Sequence, residues 1–409
     1  MDAVRVFDGS LTFLGEVDDY GSLIYTRKWN TYGEFQITTG YRNDLLAKGN
    51  IIMVGTDPEK SGIIQYVQYS DENDYVTVKG YSLLWLLSSR ITVPPAGEDY
   101  DVISGQVEEV MMALVDHNAV DPEDTKRTIP LLVCAEPQGL GGLTTWQARY
   151  SNLLEDLTEL SRVSGLGIRV DLDYHTGHMV FKVCQGVDRS ADQTDRAPMI
   201  FNPSYDNVYA REYTINDTES RNTAYVAGQG EGAERDIAVV GADNTGLGRR
   251  EVFVDARDLQ DPTQLPARGE TKLADMQPVT SYECSVIEYG YREDWDLGDY
   301  VTIIDREFGT WLTTQVVEAQ EAADANGETV TPTFGTPEKT VAEKLSSAGG
   351  STGGGGTSGG VTPTVPVATE KRLGVIKVGD HLTIQPDGTM AGEILTAQEI
   401  DEICVCEVM

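Results

Sequence analysis

Two stretches of the sequence share one pattern: "GNIIMVG", which begins at Gly49, and "GDYVTIIDREFG", which begins at Gly298. In each, a glycine is followed by Asn50 or Asp299, then by an apolar run, and the stretch closes on a second glycine, which is typical of a strand between tight turns. A further strand-like stretch follows each of them, "GIIQYVQYS" and "TWLTTQVVEAQ". The spacing predicts one strand–turn–strand unit that occurs twice, and we interpret the repetition as two similar small β-barrels.

The composition is that of a globular protein. The 409 residues suffice for several domains, and hydrophobic residues make up 40% of them. No apolar run is long enough to span a membrane, and the first residues, "MDAVRVFDGS", lack the basic and apolar regions of a secretory signal. The five cysteines are scattered and odd in number, which argues against a disulfide scaffold.

The chain is strongly acidic. Its formal net charge is −35 at pH 7. Proteins bind nucleic acid backbones by neutralising phosphates with Lys and Arg, so this charge excludes specific nucleic acid binding as the chain's task. The general explanation for such a charge is solubility.

The pattern of strands and helices divides the chain into domains. Residues 1–92 read as short strands cut by turns, residues 93–199 as an α+β middle domain, and residues 236–335 as a second set of strands. The expected fold class is therefore α+β and mainly β.

Two amphipathic helices are predicted in the middle domain. The first has apolar residues at helical spacing from Val107 to Val115, with Ser104 as the expected N-cap. The second carries an apolar stripe from Leu153 to Leu160, and we expect it to end at Gly165, a favourable C-cap residue.

The last part of the chain has a different composition. Residues 336–370 include "SSAGGSTGGGGTSGGVTPTVPVAT", which predicts a flexible linker that stiffens through its prolines. Residues 371–409 predict a small attachment module, with a hairpin over "VGDHLTIQPDGTM" and a short helix that begins at Thr396. A module of this size is marginal as a lone domain.

One acidic cluster could hydrolyse a sugar. Hydrolysis of glycosides uses two carboxyl groups, and "REDWDLGD" supplies Glu293, Asp294 and Asp296 around Trp295, whose ring could stack on a sugar. The alternative, which we favour, is a solvated acidic loop before a strand.

No cofactor or metal is expected. The glycine-rich "VAGQGEGAERDIAVV" runs into a strand-like segment, whereas a phosphate-binding loop runs into a helix. His175 and His178 flank a hairpin turn with no apparent third ligand. Since no catalytic arrangement of Ser or Cys with His is visible, we expect a protein that is not an enzyme.

Several stretches together carry a resemblance. They include "VRVFDGSLTFLGEVDDYGSLIYTRKWNTYGEFQI", "SSRITVPPAGEDYD", "TWQARYSNLLEDL", "NTAYVAGQGEGAERD" and "YREDWDLGDYVTI". In this order and spacing, residues 3–335 resemble the siphophage tail protein family named after the "gp-thirty-seven-like" protein of phage ReqiPepy-six.

The resemblance implies a baseplate hub, a structural protein at the distal end of the phage tail and so part of the virion. Such hubs are homotrimers in which each subunit donates two similar β-barrels, so that a threefold tip meets a sixfold tail tube. It implies contacts with the distal tail and tail-tube proteins, and a ring through which DNA passes. It also implies that residues 200–235 complete the first barrel.

Two alternatives to the hub stay open. The lysin-bearing relatives carry a hydrolase domain, but after residue 335 this sequence has only the linker and the small module, so the reading as a tail-associated cell-wall hydrolase depends on the cluster around Trp295. The module at 371–409 resembles short modules of phage fibre and surface proteins. It could attach the chain to other tip or fibre proteins, or bind a receptor or carbohydrate on the host cell surface.

Overall fold

The amino-terminal residues fold into antiparallel strands. The computed structural model describes residues 2–70, 75–257, 259, 261–274, 276–286, 290–325, 327–335, 382–384 and 390–392. The first strands are β1 (Val4–Phe7), β2 (Phe13–Val17), β3 (Ser22–Lys28), β4 (Glu34–Thr39), β5 (Ile51–Val54), β6 (Ser61–Ser70) and β7 (Tyr75–Ser82). They pair in the order β3-β4-β7-β6-β5-β1-β2, and we call them the first strand set.

A 3₁₀ helix (Leu83–Ser89) leads into the middle domain, which combines helices and strands. Its elements are β8 (Asp101–Gln106), α1 (Val107–Val115), β9 (Leu132–Cys134), β10 (Leu143–Ala148), α2 (Leu153–Ser164), β11 (Gly167–Asp173) and β12 (His178–Cys184). Strands β11 and β12 form the hairpin predicted around the histidines, and β9 joins it in parallel. Both helices bury their apolar stripes in one core with these strands.

The ends of the two helices test the capping predictions. Helix α2 ends as predicted, because Gly165 follows it with a left-handed φ of +74°, and Asn152 caps its beginning by accepting from two backbone amides. The expectation for α1 was wrong. Ser104 lies inside β8, and Gln106 is the N-cap, in a reciprocal capping box with Glu109.

The second strand set is built from later strands. It contains β13 (Ile200–Phe201), β14 (Val208–Asn216), β18 (Val279–Val286), β19 (Tyr300–Asp305), β20 (Thr310–Asp324) and β21 (Gly327–Gly335). Between them stands a separate sheet of β15 (Thr223–Ala227), β16 (Ile237–Val240) and β17 (Glu251–Asp255), covered by α3 (Leu265–Ala274). Within the second set β14 pairs β18, β18 pairs β21, and β21 pairs β20.

The strands near residue 200 differ from the expectation. We expected residues 200–235 to return to the first set, but β13 pairs β19 and β14 pairs β18, both in the second set. Strand β15 pairs β16 and β17 instead, so the boundary expected at residue 236 falls within a sheet. The reason is a long-range pairing that no local pattern in the sequence encodes.

The two strand sets join edge to edge. Strand β3 of the first set pairs antiparallel with β20 of the second, from Lys28 opposite Glu318 to Ser22 opposite Asp324. Each set keeps its own hydrophobic core. In the described residues the strand order runs from β14 at one end to β2 at the other without closing, so the fold is mainly β but the expected closed barrels are not formed within one chain.

The carboxy-terminal unit, residues 363–409, is a separate compact unit. Its described part is a pair of antiparallel strands, β22 (Leu382–Ile384) and β23 (Met390–Gly392), which are those of the expected hairpin. The linker over 336–370, the remainder of the module and the helix expected at Thr396 lie outside the described residues.

Candidate functional site

The repeated unit adopts the same backbone conformation twice. Gly49 has a φ of +91° and Gly298 one of +92°. The glycines that close the two stretches also match, with +60° at Gly55 and +66° at Gly309. These values lie where residues with a Cβ are strained, which explains why the pattern needs glycine at both of its ends.

The hydrogen bonds of the two units match as well. The amide of Gly49 donates to the carbonyl of Ile64, and that of Gly298 to the carbonyl of Val316, each at 2.8 Å. The amide of each partner returns a bond of 2.9 Å to the residue after the glycine. A β-bulge follows both Ile64 in β6 and Val316 in β20. The two units therefore share their glycine conformations, their hydrogen bonds and the bulge that follows.

The polar residue after each glycine has a structural role. The Asn50 amide group donates to the Leu45 carbonyl at 2.8 Å. Asp299 is buried and accepts from the Val187 amide at 2.9 Å and from Arg189 Nε at 2.8 Å. Asp299 thus fixes the chain that leaves the middle domain against the second strand set.

Trp29 lies where both strand sets meet the middle domain. Its indole Nε1 donates to the Gly165 carbonyl at 3.0 Å, and its amide donates to the Val317 carbonyl at 2.9 Å. Its ring is buried against two glycines: a Cβ added at Gly167 would lie 2.6 Å from it, and one at Gly298 would lie 2.2 Å away. The second copy of the glycine signature therefore also makes room for this tryptophan.

A buried arginine joins the two strand sets through charge. The Arg27 side chain is 6% exposed, and it binds Glu59 at 2.7 Å, Asp296 at 2.5 Å and the Tyr291 hydroxyl at 2.7 Å. Glu321 of β20 completes its surroundings at 3.5 Å. Removing one partner from a buried ion pair leaves an uncompensated charge, so this cluster holds the two strand sets in one arrangement.

Glu59 is the shared carboxylate of that cluster. Besides Arg27, it binds Arg169 of the middle domain at 2.8 Å and Arg292 at 2.7 Å. Burial alone would raise the pKa of Glu59, but these three guanidinium groups hold it below its usual value. The carboxylate is therefore ionised wherever the protein is folded near neutral pH.

The residues proposed for sugar hydrolysis lie in different surroundings. Trp295 is 1% exposed and packs edge-to-face on Phe201 in the core, so its ring has no open face for a sugar. Asp296 is engaged by Arg27 and Arg292. Glu293 and Asp294 are exposed in the loop, and Glu293 lines a cleft of about 620 Å³ beside β20. The cluster proposed from sequence is thus divided between the core, an ion-pair network and an exposed loop.

Two further properties concern the described residues, namely metal binding and membrane crossing. No group of three or more His, Cys, Asp or Glu side chains there is placed to hold a metal ion. None of the described helices combines the length and the apolar character that a membrane crossing requires.

Comparison with known proteins supplies the family. The family model for the Siphovirus ReqiPepy6 Gp37-like protein matches residues 3–336. The chain belongs to this family. The resemblance to a siphophage tail family is thereby confirmed. No curated protein matches the sequence.

Solved structures share the fold of this family member at low sequence identity. The 43 kDa tail protein of prophage MuSo2 from Shewanella oneidensis has a TM-score of 0.54 at 12% identity, over 81% of this chain and 98% of that one. A tail protein from Neisseria meningitidis has a TM-score of 0.53 at 14% identity, over 81% of this chain and 96% of that one. The fold of the chain is thus one found in tail proteins.

Proposed function

We propose that the chain is a structural hub at the distal end of a phage tail, where it joins the tail tube to the proteins of the tip. The family match and the shared fold support a place in the tail. The observation that carries the proposal further is the repeated hairpin, with its paired φ angles and hydrogen bonds.

The duplication matches a symmetry problem. Three chains that each supply two similar strand sets present six similar units to a sixfold tube, while keeping threefold contacts below it. Closed rings satisfy all of their interfaces, and the two sets in one chain already meet edge to edge through β3 and β20. We therefore propose a homotrimeric ring in which each strand set forms a barrel-like unit.

The acidic surface fits a ring that DNA passes through. A net charge of −35 does not attract phosphates, so the genome slides through without specific binding. Replacing carboxylates that line the channel by lysine should slow DNA ejection. Normal ejection from such mutant virions would contradict a role of the negative charge in DNA passage.

The hub is proposed as a protein without catalytic activity. The buried ring of Trp295 and the paired state of Asp296 support this, since both are used to hold the fold. A cell-wall zymogram of the purified chain should show no clearing. Clearing that disappears in a Glu293→Gln variant would instead support the tail-associated hydrolase.

Residues 371–409 are proposed to attach other tip or fibre proteins. The composition of residues 336–370 supports a tether that lets this module reach a partner. Virions that carry a deletion of the module should assemble tails but lose the attached protein. If tails assemble with every protein present and only adsorption is lost, the module binds the host surface instead.

The ring itself is tested by the mass of the full chain in solution. Light scattering on a sizing column, over a series of concentrations, should give three times the chain mass of 44.6 kDa, or a monomer that reaches this mass as concentration rises. A chain that stays monomeric at the highest concentrations, and also in the presence of tail-tube protein, would contradict the hub.

A further inference from the structure

The duplication extends beyond the hairpin to whole strand sets. In the first set the strands pair in the order β3-β4-β7-β6-β5, and in the second in the order β14-β18-β21-β20-β19. Aligning the bulges in β6 and β20 makes Ile64 equivalent to Val316. Following the pairing registers outward from there makes Tyr25 of β3 equivalent to Tyr213 of β14.

Strands β3 and β19 pair with the same side of β20, one after the other along its length. Strand β19 pairs with β20 from Thr310 to Gln315, and β3 takes the same side from Glu318 onward. In the first set, β5 pairs with β6 only from Ser61 to Ile63. In the described residues, the same side of β6 has no strand partner beyond Ile64. Strand β14, the equivalent of β3, pairs with β18 alone in the described residues, so its other edge also has no strand partner there.

Each of these two edges carries a large exposed hydrophobic side chain. Ile215 of β14 is 67% exposed, and Tyr69 of β6 is 58% exposed. Their equivalents in the contact between β3 and β20 are largely covered: the side chain of Arg27 is 6% exposed and that of Glu321 is 17% exposed. An exposed apolar strand edge is an aggregation hazard unless another strand covers it.

We propose that β14 of one copy pairs antiparallel with β6 of the next copy, in the way that β3 pairs with β20 within a chain. The inference rests on the proposed ring and names the contact that closes it. The same kind of edge contact then occurs in turn within a chain and between two chains. A head-to-tail contact of this kind gives a closed ring if the rotation from one copy to the next closes.

The equivalences fix the register of the contact. Within the chain Arg27 lies opposite Ala319, and the equivalent pair between copies is Ile215 opposite Val67. Tyr25 lies opposite Glu321, and the equivalent pair between copies is Tyr213 opposite Tyr69. Val67 and Tyr213 already pack against the cores of their own sets. The contact therefore extends both cores across the boundary between copies and buries Ile215.

Cysteine pairs test the register directly. Cα atoms on opposed strands lie within the range that a disulfide spans. We would oxidise the full chain carrying Ile215→Cys with Val67→Cys, and separately Tyr213→Cys with Tyr69→Cys, with the native Cys404 and Cys406 changed to serine. The expected result is a covalent ladder that ends at three chains on a non-reducing gel.

The control pair is Ile237→Cys with Val67→Cys. Ile237 is also an exposed apolar residue, at 50%, but it lies in the separate sheet of β15, β16 and β17. It should give no ladder. The native Cys134 and Cys284 contribute little background, because burial raises the pKa of each thiol to about 12 and keeps it protonated.

A charge placed on the edge gives a second readout. Ile215→Lys should fold like the wild type, since the side chain is exposed in the single chain, but it should raise the concentration needed for assembly by about tenfold or more through the lost apolar contact. Ile237→Lys should leave assembly unchanged. Light scattering measures both.

The outcomes separate this inference from the proposed function. A threefold mass with cross-links in the expected registers supports both. A threefold mass without cross-links from either pair, and with assembly of Ile215→Lys unchanged, overturns the strand pairing while the ring stands. A wild-type chain that stays monomeric, alone and with tail-tube protein, overturns both.

Discussion

Replacing Gly298 by alanine should cost far more stability than the same change at Gly49. The two glycines have φ angles of +92° and +91°, so the backbone strain of an added Cβ is the same at both, about 1–2 kcal/mol. They differ in their surroundings. A Cβ at Gly49 meets nothing within 4 Å, whereas one at Gly298 lies 2.2 Å from the ring of Trp29.

The magnitude follows from that difference. Adding a methyl group to a packed site costs about 1–3 kcal/mol, so Gly298→Ala should destabilise by about 2–5 kcal/mol and Gly49→Ala by about 1–2 kcal/mol. Urea unfolding of the full chain, followed by tryptophan fluorescence, gives both free energies of unfolding. In a Trp29→Leu background the two alanine variants should cost the same, because the ring that causes the excess is gone.

Equal costs in the wild-type background would refute the reasoning. They would mean that Trp29 moves aside without loss, and that it does not fix the strand sets to each other. If Gly298→Ala still costs more stability than Gly49→Ala in the Trp29→Leu background, a neighbour other than Trp29 causes the difference.

Three other changes test the account. Arg27→Met should destabilise the chain by about 3–5 kcal/mol in urea unfolding, because it takes the buried cation away from the carboxylates of Glu59, Asp296 and Glu321. Arg42→Met on the surface should stay within about 0.5 kcal/mol, and similar costs would contradict the buried cluster. Burial raises the pKa of Asp156 from 3.8 to about 7, so between these values the folded protein keeps a proton that the unfolded chain releases, and stability falls as pH rises. Asp156→Asn should remove that fall, so that from pH 4 to pH 8 the wild type loses about 4 kcal/mol relative to the variant; parallel pH profiles would show that the carboxyl is ionised in the fold. Ile215→Cys with Val67→Cys should cross-link neighbouring copies; an intact trimer in which neither cysteine pair gives a ladder and Ile215→Lys assembles unchanged would reject the strand pairing.

Features with a local signature could be predicted from the sequence. The apolar spacing and Gly165 located α2 and its end, since a C-cap glycine is a property of a few neighbouring residues. The two glycine-led stretches predicted the repeated unit for the same reason. Ser104 was a misplaced cap because β8 continues to Gln106, and the local sequence allowed either residue to begin the helix.

Features that depend on distant pairing could not be predicted. The contact between β3 and β20 joins residues about 300 positions apart, and the partners of Arg27 come from separate segments of the chain. Trp295 looked like a sugar-binding residue because acidic residues surround it in sequence, but its ring belongs to the core of the second set. A pattern of apolar residues does not tell which of two sets a strand will join.

The central claim that follows from the duplicated strand sets is that three chains present six similar units around a channel. Electron microscopy of the assembled full chain, viewed along the ring axis, tests this most directly. The account predicts a closed ring with threefold symmetry and six similar lobes around a central opening. A ring with another number of lobes, or particles without a closed ring, would contradict it.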